Sequence, residues 1–250
     1  TTANAGYYAK IIEEKSVLRK IINSCKDIGT AAGQNTDIKQ LLGMLDSLQA
    51  ELDNRPSHEV KSICEIVQEA KADIENRVKN RGELPGTASG FRYWDYKTGG
   101  LIPSLLYLIA ARPSMGKTAM LLCIIEYICG YLKKPVLFFS LEMSKLQIAN
   151  RLACMVAEVE NHKLRTGNLS QEEQRKIGAA LKAISKWPLV IDDTPGLSFQ
   201  EIAAKSRKAE MQYKNLALIC LDHLTEMSAE GKDDRQAITS NVRNCKRLAK

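Results

Sequence analysis

The residues whose types and spacing could do chemistry sit together at Gly116-Lys117-Thr118. They close the stretch Ala110-Ala111-Arg112-Pro113-Ser114-Met115-Gly116-Lys117-Thr118, which approaches the phosphate-loop pattern G-x-x-x-x-G-K-[ST]. In such a loop, unpaired backbone N–H groups at the turn and at the next helix start point at phosphate oxygens. Gly116 lets the backbone come close, Lys117 would reach the β- and γ-phosphates, and the Thr118 hydroxyl would bind Mg²⁺. The candidate cradle runs from Ala111 through Arg112, Pro113, Ser114, Met115, Gly116, Lys117 and Thr118 to Ala119. Ala111 stands where the pattern asks for glycine; a small side chain still permits a tight turn if its φ stays negative.

Cleaving a nucleoside triphosphate at such a loop needs a carboxylate near the metal ion and a group that orients or deprotonates water. Three apolar runs end in candidate acids. Asp222 closes Leu216-Ala217-Leu218-Ile219-Cys220-Leu221, the usual form of a Mg²⁺-side aspartate, and Asp192 and Asp193 close a similar run and compete for that role. Glu142 ends the run after the phosphate-loop helix. A glutamate there is costly to bury unless it has a task or a partner. The alternative reading of Glu142 is an acid favoured by the dipole of the next helix.

These residues need strands to carry them. Apolar runs predict strands at 105–111, 135–142, 189–193 and 216–222, and helical periodicity predicts helices at 117–131, 145–158, 171–185, 199–213 and 235–249. Capping boxes mark three helix starts, Ser144 with Gln147, Ser170 with Glu173 and Ser198 with Glu201; Met143 with Ile148 and Leu197 with Ile202 add hydrophobic staples. Alternating strands and helices, with strands apolar throughout, imply an α/β fold: a mostly parallel sheet covered by helices on both faces. Ligands then bind beyond the carboxyl ends of the strands, where the loop and all four acids lie.

Upstream the pattern is helical. The spacing predicts amphipathic helices over 7–28, 37–52 and 58–79, with a polar break at 29–35 and an interruption at Pro56. The stripe Val60, Ile63, Val67, Ala70, Ile74, Val78 is narrow and fits one groove, in this chain or in a neighbouring subunit. Residues 80–90, rich in Gly, Pro and small polar residues, read as a hinge and place the main boundary there.

Composition bounds the class. Of 250 residues, 44% are hydrophobic and 26% charged, as in a soluble globular protein, and no apolar run predicts a transmembrane helix. The seven cysteines are scattered and form no C-x-x-C, so neither a zinc site nor a redox pair is indicated; reduced thiols in an intracellular protein are expected. The net charge is +7, concentrated in the C-terminal two-thirds, which suits a polyanionic partner. Basic clusters at Lys205, Arg207 and Lys208 and at Arg243, Lys246 and Arg247 are candidates for such contact, the ordinary solvated face being the alternative. The absence of an initial Met suggests a start inside a longer protein.

In order along the chain, ARPSMGKT (111–118), PVLFFSLEM (135–143), LRTGNLS (164–170), IDDTPGLS (191–198) and ICLDHLTEM (219–227) resemble the RecA-like motor domain of DnaB-type replicative helicases. GTASGFRYWDYKTGGL (86–101) resembles the lead-in to that domain, and the opening 1–22 resembles the end of the family's helical N-terminal domain. The family also carries alanine at the position of Ala111. The resemblance implies a RecA-like P-loop domain preceded by an all-helical arm. Residues 1–55 would be the C-terminal part of the helical N-terminal domain, 56–90 the linker helix and hinge, and 91–250 the N-terminal portion of the ATPase domain.

The function implied is an ATP- and Mg²⁺-dependent DNA helicase. It would be a homo-hexameric ring that translocates on single-stranded DNA and unwinds the replication fork, with primase and a helicase loader as partners, in the cytoplasm or in viral replication inside a bacterial host. Carried residue by residue, Lys117 and Thr118 hold phosphates and Mg²⁺, Glu142 is the water-activating glutamate and Asp222 the Mg²⁺-side aspartate. Where the family often has Asp-Tyr-Leu-Gln, this chain has Asp222-His223-Leu224-Thr225, and His223 reads as a tolerated neighbour. The family's nucleotide-sensing glutamine, arginine finger and most DNA-contacting loops would lie past Lys250. The alternatives are a RecA-like switch that assembles or loads partners without unwinding, and an oligomerisation collar built on residues 1–79.

Overall fold

The computed structural model describes residues 5–33, 40, 41, 43–45, 48, 62–112, 114–227 and 234–250. It divides into two compact units, residues 1–74 and 75–250.

In the first unit, helix α1 covers Ala5–Gly33. It runs through residues 29–33 of the polar stretch expected to break it; residues 34 and 35 lie outside the described residues. Ala31 and Ala32 are strong helix formers, and Thr30 turns its hydroxyl back onto the Lys26 carbonyl at 2.8 Å. Leu18 and Ile22, on the expected apolar stripe, are exposed. The helix expected at 37–52 falls largely outside the described residues; those described within it are helical. Helix α2, Ile63–Lys79, begins where Ser62 and Glu65 bond each other's backbone N–H groups, at 2.7 and 3.3 Å. None of its residues is buried, and Ile63, Ile66, Val67, Ile74 and Val78 present an uncovered apolar stripe. Positions 58–61 of the expected helix lie outside the described residues.

The second unit takes in the end of α2 from residue 75 and then a loop that is locked, not a free hinge through residue 90. Thr87 bridges Leu101, and Ser89 is fully buried. Helix α3, Arg92–Thr98, which periodicity did not reveal, supplies Asp95. Its carboxylate accepts from the Ser89 N–H at 2.9 Å, the Ser89 hydroxyl at 2.7 Å and the Gly90 N–H at 3.2 Å.

Helix α4, Lys117–Ile125, runs on into a π-helical turn, Glu126–Tyr131. Strand β1 (Val136–Ser140) follows. Then come helices α5 (Lys145–Ala157), α6 (Asn161–Thr166) and α7 (Gln171–Ile184), strand β2 (Leu189–Asp192), helix α8 (Phe199–Tyr213), strand β3 (Leu218–Asp222), a 3₁₀ turn (Leu224–Glu226) and helix α9 (Asp234–Ala249). All three expected capping boxes form, with both reciprocal bonds, at the starts of α5, α7 and α8.

The sheet is parallel, in the order β2-β1-β3. Central β1 is buried throughout, and its alternation divides the core. Val136 and Phe138 pack with Leu122, Ile125 and Ile128 of the α4 segment and with Ile148 and Leu152 of α5. Leu137 and Phe139 pack on the opposite face with Leu197 and with Ile202 and Ala209 of α8. Helices therefore cover both faces, as expected.

The strand expected at 105–111 is not one. A strand is defined by its ladder, and no described residue pairs with this stretch. Leu105, Leu108 and Ile109 stay exposed, while Tyr107 turns inward. Its hydroxyl accepts from the Ile102 N–H and donates to the Gly100 carbonyl, each at 3.0 Å. Among the described residues no helix is long and apolar enough to cross a membrane.

Candidate nucleotide site

The turn before α4 is tight. Ser114 and Gly116 have left-handed φ values of 65° and 84°, and the Met115 N–H donates to the Arg112 carbonyl at 3.2 Å. At Gly116 it is conformation, not space, that requires glycine, since a Cβ there would meet nothing within 4 Å. Gly116 is the N-cap of α4 and supplies no side-chain cap, so the helix offers its first-turn N–H groups to an external acceptor. Ala111, Arg112, Ser114, Met115 and Ala119 are exposed around this turn; Pro113 lies outside the described residues.

The first turn of α4 is tied to the end of β3. The Thr118 hydroxyl donates to Asp222 Oδ2 at 2.6 Å, and Lys117 Nζ stands 3.8 Å from Asp222 Oδ1. Asp222 is 3% exposed. The register of β1 on β3 brings in the glutamate. Ser140 pairs with Asp222, and the Leu141 N–H donates to the Asp222 carbonyl at 2.7 Å. The chain then emerges with Glu142 beside His223, Oε2 to Nε2 3.6 Å. Lys117, Thr118, Asp222 and Glu142 thus gather at the carboxyl ends of β1 and β3.

The competing acids are engaged elsewhere. Asp192 lies on the other flank of β1, opposite Phe139, and accepts from Lys205 Nζ at 2.6 Å and from the Thr194 N–H at 3.0 Å. Burial works to raise its pKa, but Lys205 and Thr194 hold it below the ordinary carboxylate value. Asp193 accepts from the Lys145 N–H at 2.9 Å, and that bond is the main reason its pKa is depressed.

A family model described as the DnaB-like helicase C terminal domain matches residues 86–250. The chain belongs to this DnaB-like family. It is 34% identical to the replicative DNA helicase DnaC of Bacillus subtilis and 36% identical to the replicative DNA helicase DnaB of Geobacillus stearothermophilus. Each match takes in the whole of this chain and 56% of the relative, so the chain spans about half the length of those proteins. Among solved structures, an ATPase domain is similar at a TM-score of 0.67 and 26% identity over 73% of this chain and 66% of that one. A DnaB-like replicative helicase, described with its interactions with primase, shares the fold at a TM-score of 0.75 and 22% identity, over all of this chain and 58% of that one.

Other sequence-marked residues of this DnaB-like chain take structural places. Lys205 holds Asp192 and also reaches the Thr194 hydroxyl at 3.2 Å, while Lys246 donates to the Ser104 carbonyl at 3.0 Å. Arg243 and Arg247 line an open depression of about 540 Å³ along α9. All seven cysteines are free; Cys25, Cys64 and Cys123 are exposed, the rest wholly or partly buried. Burial pushes the Cys129 thiol up to about 12 and raises Cys220 as well, which leaves both unreactive. Two site features escaped the sequence reading: the anchoring of Asp192 by Lys205, and the approach of His223 to Glu142. Neither has a local signal: the first depends on how α8 folds back beside the end of β2, the second on β1 and β3 being neighbours.

Proposed function

We propose that this chain is the nucleotide-hydrolysing portion of an ATP-dependent replicative DNA helicase subunit. One observation carries the reading: Thr118, Lys117 and Asp222 in mutual contact below an uncapped helix start, with Glu142 at the adjoining strand end. ATP is the proposed substrate, cradled by residues 111–119, and Mg²⁺ its counter-ion. The Thr118 hydroxyl and the buried Asp222 carboxylate are hard oxygen donors of the kind that ion takes. When bound, Mg²⁺ neutralises charge on the β- and γ-phosphates.

The chain's own residues do the rest. Lys117, near Asp222, is placed to move its charge to the phosphates. First-turn N–H groups of α4 hold phosphate oxygens. Glu142, half-exposed at the mouth, takes a proton from the attacking water. The names of the relatives support strand separation in DNA replication as the purpose. On the same footing we propose a homo-hexameric ring acting on single-stranded DNA, with primase and a loader as partners. The uncovered stripe of α2 supports its use as a linker helix against another copy.

The test is Lys117→Ala in the protein at its natural length. DNA-stimulated ATP hydrolysis is expected to fall at least about 100-fold, since phosphoryl transfer depends almost wholly on positioning and charge. Retained turnover refutes the assignment.

A further inference from the structure

We propose that His223 is a positioning residue for Glu142, a role that rests on the reading of Glu142 as the water activator. Ser140 lies opposite Asp222 and the Leu141 N–H donates to the Asp222 carbonyl, so Glu142, two residues past Ser140, and His223, one past Asp222, both emerge at the same end of neighbouring strands. The imidazole is held from its far side: Thr225 Oγ1 lies 3.2 Å from Nδ1. When that hydroxyl donates to Nδ1, the ring proton sits on Nε2, the nitrogen that faces Glu142 Oε2 at 3.6 Å. That gap is longer than a hydrogen bond, and catalytic bonds commonly tighten from such distances once substrate is present.

The burial pattern suits the assignment. Glu142's side chain is 59% exposed and His223's 27%. Among the described residues, no other ion pair or side-chain hydrogen bond is assigned to the Glu142 carboxylate. An exposed glutamate has several rotamers, and one aimed at water must be chosen from them; an N–H donor fixed by Thr225 makes that choice. His223 touches neither phosphate nor water in this role. It acts on where the Glu142 carboxylate points.

A double-mutant cycle tests the idea, on the protein at its natural length, reading kcat and KM for DNA-stimulated ATP hydrolysis and the affinity for a fluorescent ATP analogue. Glu142→Gln should lower kcat by about 100-fold or more, as loss of a general base does. His223→Phe should lower kcat about 10-fold while KM and analogue affinity stay within about twofold, the signature of a group that acts only in the chemical step. His223→Gln, which returns an N–H donor at the same reach, should restore most of that loss.

In the Glu142→Gln background, His223→Phe should change nothing further, because the group it positions is gone. An equal loss in both backgrounds, or a change in KM or affinity in place of kcat, overturns the positioning role and leaves the water-activating role of Glu142 standing. Wild-type turnover in Glu142→Gln overturns that underlying reading instead. Thr225→Val, at an exposed position, gives an independent arm. It should lower kcat about threefold through release of the ring, and an unchanged kcat there counts against the proposal even if His223→Phe fails to fold.

Discussion

Replacing Asp95 by alanine should unlatch the loop near the start of the second unit, and the cost can be worked from its bonds. One carboxylate, 6% exposed, gathers three donors: the Ser89 N–H, the Ser89 hydroxyl and the Gly90 N–H. Ser89 is wholly buried, so water cannot readily replace what the carboxylate supplied. A buried donor left unmatched costs about 1–3 kcal/mol. Gly90 is exposed, so water can take up its N–H and only the two Ser89 donors count; at the low end for each, because the loop can relax, Asp95→Ala should cost about 2 kcal/mol.

For a unit of this size that is a fall of about 4–8 °C in melting temperature. Asp95→Asn keeps one oxygen but turns an NH₂ toward a donor, and should cost about half as much. Both tryptophans, Trp94 and Trp187, lie in the second unit, so urea unfolding followed by their fluorescence reads this unit and not the helical arm. Ser89→Ala combined with Asp95→Ala should cost at least about 1 kcal/mol less than the two changes summed, since they share one bond network. An Asp95→Ala midpoint within about 0.5 kcal/mol of wild type would refute the latch.

Two further outcomes follow from the site and its surroundings. Thr118→Val keeps the shape of the side chain but removes the 2.6 Å bond to buried Asp222; it should cost about 2 kcal/mol of stability and abolish the Mg²⁺ dependence of nucleotide binding, read by calorimetric titration with and without the ion. Four carboxylates, Glu173, Asp192, Asp193 and Glu201, have folded pKa values held below their ordinary ones, and the Lys163 bond, the largest cause at Glu173, helps to take that group to about 2. Their contribution is therefore present above the unfolded values near pH 4 and is lost as pH falls toward about 2. Acid unfolding should steepen in that window, and Lys163→Met should flatten it; an unchanged acid limb would contradict the pairing.

What the sequence made legible was what is local. The capping boxes are contained within four residues, and each forms. The apolar runs at 135–142, 189–193 and 216–222 each carry their own strand signal, and each yields a strand one to three residues shorter. The stretch 105–111 has the same composition but is not a strand, because pairing depends on a partner elsewhere in the chain. Helix α1 overran its expected end because a glycine in an exposed helix costs only about 1 kcal/mol and does not by itself stop one; Ala31 and Ala32, the best helix formers, lie between Gly29 and Gly33. The reading of 80–90 as a hinge came from small residues, which mark both free linkers and tightly packed loops. At Gly90, whose Cβ would lie 2.7 Å from the Tyr127 ring, smallness serves packing. The sequence favoured Asp222 over Asp192 by its pattern and by the family resemblance; the order β2-β1-β3, which no single segment contains, adds that the two acids end strands on opposite flanks of β1.

That order also explains why core and site cannot be specified separately. Along β3, Cys220 and Asp222 are buried while Ile219 is exposed, so the alternation that packs the sheet also turns the carboxylate toward Thr118. A slip of one residue against β1 would exchange the faces of the strand. Leu221 or His223 would then stand opposite Ser140, the Thr118 hydroxyl would meet no carboxylate, and Glu142 would leave the sheet beside a different side chain. The same slip would carry Cys220 out of the cluster around Phe138 and Ile148. Hydrophobic burial of β1 on both faces therefore enforces the placement of the acids. Those acids add little to the strength of the sheet, whereas the sheet sets their positions to within a hydrogen bond.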